Sequence, residues 1–353
     1  MTDSWLLVAD AFAILMVWVG AFLALLNLAA VVIERAVFGL IAMRRRRVAR
    51  QYAPIMQRAM NGEQAAIQEL AISPVRLRVE IARLLLLPLI DDHDSQQIAR
   101  ARTIFLAMSL VPVAERLLHS RWWWQRALGL RVLGFLQMGA YTPAIVAALD
   151  DHQPEVRAAA LDALADLRHP DSLLAVVVRL HDESLHRGRR LAALTAFGSD
   201  CEPFLLEMAA IDSRNRLDYA RALRICGTAR SLSMLSDWTQ DPDAGLRAAA
   251  FEALAHVGLD ARAAPLAIGA LESDDVGVRA MAAYALHGCS GAGDVAGRLA
   301  QHLDDQWQVA VQAARSLKTI GDGGITALKT AATRSDLAGQ LARQTLWEIT
   351  ARC

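Results

Sequence analysis

The chain has 353 residues, of which 54% are hydrophobic and 6% aromatic, and 37 basic residues balance 37 acidic ones. Apolar content this high offsets chain entropy and excludes a disordered chain, and a net charge of zero removes the simplest argument for a nucleic-acid binder. The apolar residues are largely Ala and Leu, strong helix formers, so an all-α protein is expected.

The first predicted element is a membrane span. After a short segment 1–10, residues Ala11 to Ile33 read AFAILMVWVGAFLALLNLAAVVI, without charge or proline. As a helix this is about 35 Å long, enough for a hydrocarbon core of about 30 Å. No basic region precedes it and the run is too long for a cleaved leader. Residues 1–50 hold six arginines against three acidic residues, and Arg44, Arg45, Arg46, Arg47 and Arg50 all follow the span. The positive-inside rule then places the N-terminus outside and the rest in the cytoplasm, as a single-pass protein of a bacterial inner membrane. The helix is expected to continue to residue 43, with the arginines at anionic headgroups. Inside the span, Gly20 and Ala24 form a small-xxx-small pair and Asn27 is a lone amide, features suited to helix association.

Residues 44–74 read as a basic juxtamembrane stretch and helical connector. Residues 75–111 read as a degenerate capping unit: Val75 to Ile90 as a first helix, Ile98 to Leu110 as a second, with Ile90, Asp91, Asp92, His93 echoing Leu149, Asp150, Asp151, His152. Leu84 to Ile90 is too short for a second span and contains Pro88.

From 112 to 353 one period dominates. VRAAALDAL (156–164), LRAAAFEAL (246–254), VRAMAAYAL (278–286) and VAVQAARSL (309–317) align on positions 157, 247, 279 and 310, and weaker copies sit at Arg126, Arg190, Arg216 and Ala342. The successive spacings are 31, 33, 26, 31, 32, 31 and 32 residues. Acidic residues precede the anchors at Asp150, Asp151, Asp182, Asp241, Asp274, Asp275, Asp304 and Asp305; glycines follow at Gly198, Gly227, Gly258, Gly288 and Gly321, where a left-handed helix cap is expected. Pro143, Pro203 and Pro265 mark the starts of preceding helices. Each unit is therefore helix, turn, helix, turn, and units that cannot bury their apolar faces alone must stack into a solenoid. The Asp before each turn and the anchor Arg are placed to form a ladder along the stack, interrupted at Ala310, at Ala342 and at the short unit around Arg216.

This pattern of Asp, five or six residues, then VR-x-A-A-x-x-A-L resembles HEAT repeats, in particular the short bacterial HEAT-like type first described in phycobilin lyases. The resemblance covers about 240 residues and implies an α-α superhelical solenoid, in a family made mainly of scaffolds with a few enzymes. It also implies that Trp123 and Trp307, three residues before their anchors, pack across the inter-repeat turn. Trp122, Trp123 and Trp124 lie between Arg121 and Arg126, so at least one is left to face outward. Trp122, Trp124, Arg121 and Arg126 are the candidate protein-contact residues.

Other motifs point less far. Gly288, Cys289, Ser290 and Gly291 approach a nucleophile elbow and Gly291 to Ala296 a dinucleotide loop, but both need a preceding strand. His181 and His186 flank Asp182 and Glu183 without a metalloprotease motif or paired His-Glu dipeptides. Cys201, Cys226, Cys289 and Cys353 are too dispersed for a zinc or disulfide framework. No catalytic residue, cofactor, metal or small-molecule substrate is therefore assigned. The expected function is a membrane-anchored scaffold whose concave face binds a protein, as accessory subunit of an inner-membrane enzyme or transport complex such as one making or exporting an envelope polysaccharide. The alternative is an enzyme on the same fold: a bilin-lyase type using Cys201 or Cys226, or, less favoured, a DNA glycosylase type. Residues 141–353 carry 21 basic against 27 acidic residues, which speaks against nucleic acid.

Overall fold

A computed structural model describes the backbone of residues 3–86, 94–289 and 295–351; in the first helix, side chains are described at 25–28, 31, 32, 34–36, 38–40 and from 42 onward. The chain divides into two compact units, Met1–Glu115 and Arg116–Cys353. Among the described residues all regular structure is helical.

The first unit is built on one continuous helix, α1 (Asp3–Met60). The predicted span 11–33 lies within it, but most of its side chains, Gly20 and Ala24 included, fall outside the described ones; Asn27 is exposed. Among the described residues no helix is long and apolar enough to cross a membrane. At Asn61 and Gly62 the chain reverses, Gly62 adopting the left-handed φ of 93° that a tight turn requires. Helix α2 (Gln64–Ala71) then packs back on α1, adding Ala66 and Leu70 to a core with Tyr52, Met56 and Ala59. Helices α3 (Val75–Leu86) and α4 (Ser95–Ala107) follow, α4 capped by the Asp94 carboxylate, which accepts from Gln96 N. The Arg100 guanidinium reaches the Met60 carbonyl at 2.8 Å and ties α4 to the end of α1. The echo at Ile90 to His93 lies outside the described residues.

In the second unit the predicted period becomes a row of second helices: α6 (Trp123–Phe135), α8 (Pro154–Leu167), α10 (Arg187–Phe197), α12 (Arg216–Cys226), α14 (Ala244–Val257), α16 (Val276–Ala285), α18 (Trp307–Thr319) and α20 (Leu337–Thr350). Every anchor position lies in one of them. Helix α5 (Val111–Leu118) precedes α6, and between the second helices run the first helices α7 (Thr142–Ala147), α9 (Leu173–Val178), α11 (Glu202–Ile211), α13 (Leu232–Trp238), α15 (Ala263–Ala270), α17 (Val295–Gln301) and α19 (Asp322–Ala332). Several first helices are short because 3-10 turns take their ends, as at Gly139–Tyr141 and Ala148–Asp150 around α7.

Neighbouring second helices pack together more closely than neighbouring first helices. Small residues permit this. Ala159, Ala160 and Ala163 of α8 are buried, and a Cβ added at Gly134 of α6 would lie 2.4 Å from Ala163 Cα. The exposed faces of the second helices therefore lie side by side along this row. The glycine caps divide. Gly198, Gly258 and Gly321 have positive φ as expected, whereas Gly227 has a φ of −68° and is needed because a side chain there would strike the Leu223 carbonyl and Ser231.

Candidate protein-interaction surface

The anchor arginines build a spine before they build any site. Arg126 grips Asp151 of the next turn through two bonds of 2.8 Å and donates to the Ser120 carbonyl of its own turn at 2.9 Å. Arg279 repeats this with Asp305, at 2.8 Å twice, and with the Ser273 carbonyl at 2.7 Å. Asp151 in turn offers its backbone carbonyl to Arg157, which pairs with Asp182 at 3.7 Å. One aspartate thus joins arginines of two successive units. The bidentate Arg279 guanidinium holds the Asp305 carboxyl down at about 2, while burial raises Asp151 but is outweighed by Arg126 and the Gln153 amide, leaving it below the usual carboxylate range.

The ladder breaks partly where expected and partly elsewhere. Arg216 does pair with Asp241, at 3.3 Å. One gap lies a unit earlier, at Arg190, because the equivalent turn position is Asn215, whose amide donates to Asp212 at 2.7 Å; a second is at Arg247, which among the described residues donates only to the Asp241 and Pro242 carbonyls, at 2.9 and 2.8 Å. Arg190 turns back to the Leu180 carbonyl, and its buried Nε has no partner. At Ala310 and Ala342 the arginine is absent as expected, and both alanines are buried. There Arg334–Asp304, at 2.6 Å, and Lys318–Glu348, at 3.0 Å, link the units instead.

This spine decides which of the predicted contact residues face a partner. Arg126 does not: its side chain is only 11% exposed and is engaged with Asp151. Trp122, Trp123 and Trp124 are 49%, 43% and 50% exposed, and the Arg121 guanidinium lies over the Trp122 ring at 4.7 Å. The implied packing of Trp123 and Trp307 across the turn is not seen. Each opens its helix, ahead of the first buried positions Ala127 and Val309, and Trp307 is exposed.

Trp124 continues into a feature that the sequence left unmarked. Leu128 and Arg131 follow it at i+4 and i+7 on one exposed face of α6. Arg131 lines a cleft of about 250 Å³ with Pro154, Glu155 and Ala158 of α8, with Arg189 of α10 and with His186, which caps α10. Arg189 pairs with Asp162, whereas Arg131 and Arg187 are exposed without a partner among the described residues. The exposed face of α6, α8 and α10 therefore presents a Trp-Leu ridge beside a basic cleft. Exposed face periodicity could have flagged Leu128 and Arg131; the cleft depends on three helices and could not be read from one.

The remaining candidates are held within the fold. Cys201 and Cys226 are 0% and 2% exposed, so neither sulfur reaches the surface; the Cys201 thiol beside it and burial push Cys226 upward, and the same contact with Cys226 pulls Cys201 down. His181 Nδ1 lies 3.4 Å from Asp218 and its ring meets Tyr219 edge-on, while His186 Nδ1 accepts from the Gly188 amide as a helix cap. Tyr219 is fully buried, and desolvation with Asp212 nearby pushes its hydroxyl up to about 12. No group of three or more potential metal ligands gathers among the described residues. Residues 290–294 of the glycine-rich motif, and Cys353, lie outside them. A residue missed in the sequence is Glu202: buried, it accepts from Thr228 N at 2.6 Å, from the Thr228 hydroxyl at 2.5 Å and from Ser231 N at 3.1 Å, locking two units together.

Comparison with known proteins agrees with the repeat. Residues 110–198 and 202–287 match the family of HEAT repeats. No curated protein is significantly similar in sequence. Among solved structures, an engineered protein is 18% identical with a TM-score of 0.39, covering 84% of this chain and 98% of its own. Human deoxyhypusine hydroxylase in complex with glycerol is 17% identical with a TM-score of 0.30, covering 85% of this chain and 100% of its own. Kap121p is 14% identical with a TM-score of 0.42, and this chain, matched over 85% of its length, spans 48% of it. Similarity this remote says nothing of activity or partner. What the matched residues, the period and the stacked helix pairs establish together is that residues 110–287 of this chain are HEAT repeats.

Proposed function

We propose that the protein is a membrane-tethered, non-enzymatic scaffold whose exposed face at α6, α8 and α10 binds a protein subunit of an inner-membrane enzyme or transport complex. The observation that carries the binding half is the exposed ridge of Trp124 and Leu128 beside Arg131, which has no partner among the described residues. Exposed Trp and Arg around a cleft are the side chains that dominate protein interfaces. The tether half is supported by the uncharged run 11–33 within one unbroken helix, by the exposure of Leu25, Leu26, Leu28, Val31 and Val32 on it, and by the arginines that follow. In this reading the N-terminus is outside, the repeats are cytoplasmic, and Gly20, Ala24 and Asn27 are available to a partner helix.

The test is site-specific photocrosslinking in intact cells. A photoreactive residue at Leu128 should crosslink to one membrane protein that a probe at Trp347, on the last helix, does not reach. Crosslinks from position 128 only to soluble proteins, or the same adducts from both positions, would sink the proposal.

A further inference from the structure

We propose that α3, with the arginines of α1 beside it, is a second membrane-contacting surface that lies on an anionic lipid bilayer; the inference rests on reading α1 as the tether. Helix α3 and the turn before it carry an exposed patch: Ile72, Val75 and Val79 are 84%, 73% and 57% exposed, and Arg76 and Arg83 are exposed among them. Positions 75, 76, 79 and 83 fall on one face of α3, and Ile72 is exposed in the turn that leads into it. Arg78, off this patch, is turned inward, donating to the Ala71 and Ser73 carbonyls at 3.0 and 3.2 Å. The patch is therefore apolar and basic by placement, since the one arginine that serves the fold is excluded from it.

Its location gives the occupant. Arg44 Nη2 donates to the Arg76 carbonyl at 3.3 Å, and Arg45 Nε lies 3.8 Å from Glu80, the single acidic residue of α3. Two consecutive residues of α1 thus hold residues four apart on α3, as expected of a helix that crosses α1. Arg46, Arg47, Arg50, Arg76 and Arg83 are all exposed and have no partner among the described residues. A charge field of one sign beside exposed aliphatic side chains fits phospholipid, whose anionic headgroups lie directly above an apolar layer. Distance permits it. Arg44 is about 16 Å along the helix axis from Ile33. A tilt of about 40° brings that level to about 13 Å from the hydrocarbon, which arginine side chains and the α3 face together can span.

The experiment uses the full chain in lipid nanodiscs made of phosphatidylcholine alone or mixed with phosphatidylglycerol, read by hydroxyl-radical footprinting, with exposed Ile211 of the second unit as internal reference. Labelling of Ile72, Val75 and Val79 relative to Ile211 should fall severalfold in phosphatidylglycerol discs and recover in high salt. In R76Q/R83Q the docking equilibrium should weaken about 25-fold, about fivefold per arginine. Equal labelling in both lipids overturns the proposal, as does protection that appears only when a protein partner is added. A chain that enters neither disc refutes the tether by itself. In that case flotation with phosphatidylglycerol vesicles decides α3, salt-reversible flotation supporting it and absence of flotation overturning it.

Discussion

Replacing Asp305 by Asn tests whether the Arg-Asp spine holds the repeats together. Asp305 takes two bonds from Arg279 and one from the Gln306 amide, with both charged side chains under 20% exposed. Its carboxyl titrates at about 2 in the folded protein, against about 3.9 in an unfolded chain. The depressed value means that the carboxylate form is favoured by folding. The stabilisation is therefore complete above the unfolded pKa, amounts to about 2.5 kcal/mol at neutral pH, and is lost as pH falls through about 2. At pH 3 about half should remain. D305N is expected to lower stability by about this amount at pH 7. Melting of a unit of this size would shift by about 5 to 10 °C. Because stacked repeats can open locally, amide exchange across α16 and α18 is the sharper assay, and the excess opening in D305N should fall from about 70-fold at pH 7 to about 10-fold at pH 3. Equal exchange in D305N and the parent at pH 7, or a difference that does not change with pH, would refute the reasoning.

G134A should destabilise the α6–α8 joint by about 2 kcal/mol, seen as a lower urea midpoint, because the added methyl meets the Ala163 backbone at 2.4 Å. E202A should cost about 3 kcal/mol, since it strips buried amides of Thr228 and Ser231 of their acceptor, whereas T228A, losing only a hydroxyl, should cost about 1. W124A/L128A should leave the melting temperature unchanged yet weaken partner binding by at least about 30-fold in a pull-down titration. R126A should do the reverse, lowering the melting temperature with little effect on binding, because Arg126 is engaged with Asp151.

The repeat was legible because its physics is periodic. A helix pair must bury the same face in each unit, so anchors, acidic turns and prolines recur in phase, and Pro143 and Pro203 do open α7 and α11. The ladder was legible where its two residues are both present, as at Arg126 and Asp151. It was misplaced at the short unit because the missing member is the acceptor, Asn215, and counting arginines does not reveal an absent aspartate. Glu202 escaped notice since it occurs once, outside the period, and its three donors come from a segment 26 to 29 residues later. Trp123 and Trp307 were expected to pack by position within the repeat, but a residue that opens its helix precedes the buried face. The cleft at Arg131 is a property of three helices and has no signature in any one of them.

The vacancy between Arg190 and Asn215 has a mechanical meaning. A coil whose turns are fastened alike stretches evenly, but here α10 and α12 lack the strut and also pack less closely than α6 with α8 or α12 with α14. On the far side, Arg216–Asp241 and the Glu202 latch stiffen the next joint. The α10–α12 joint, without the strut and loosely packed, is therefore expected to yield before the joints on either side of it, and it borders α10, one wall of the cleft. Tension on the C-terminal repeats would open that joint before its neighbours and alter the grip on whatever the Trp124 face holds.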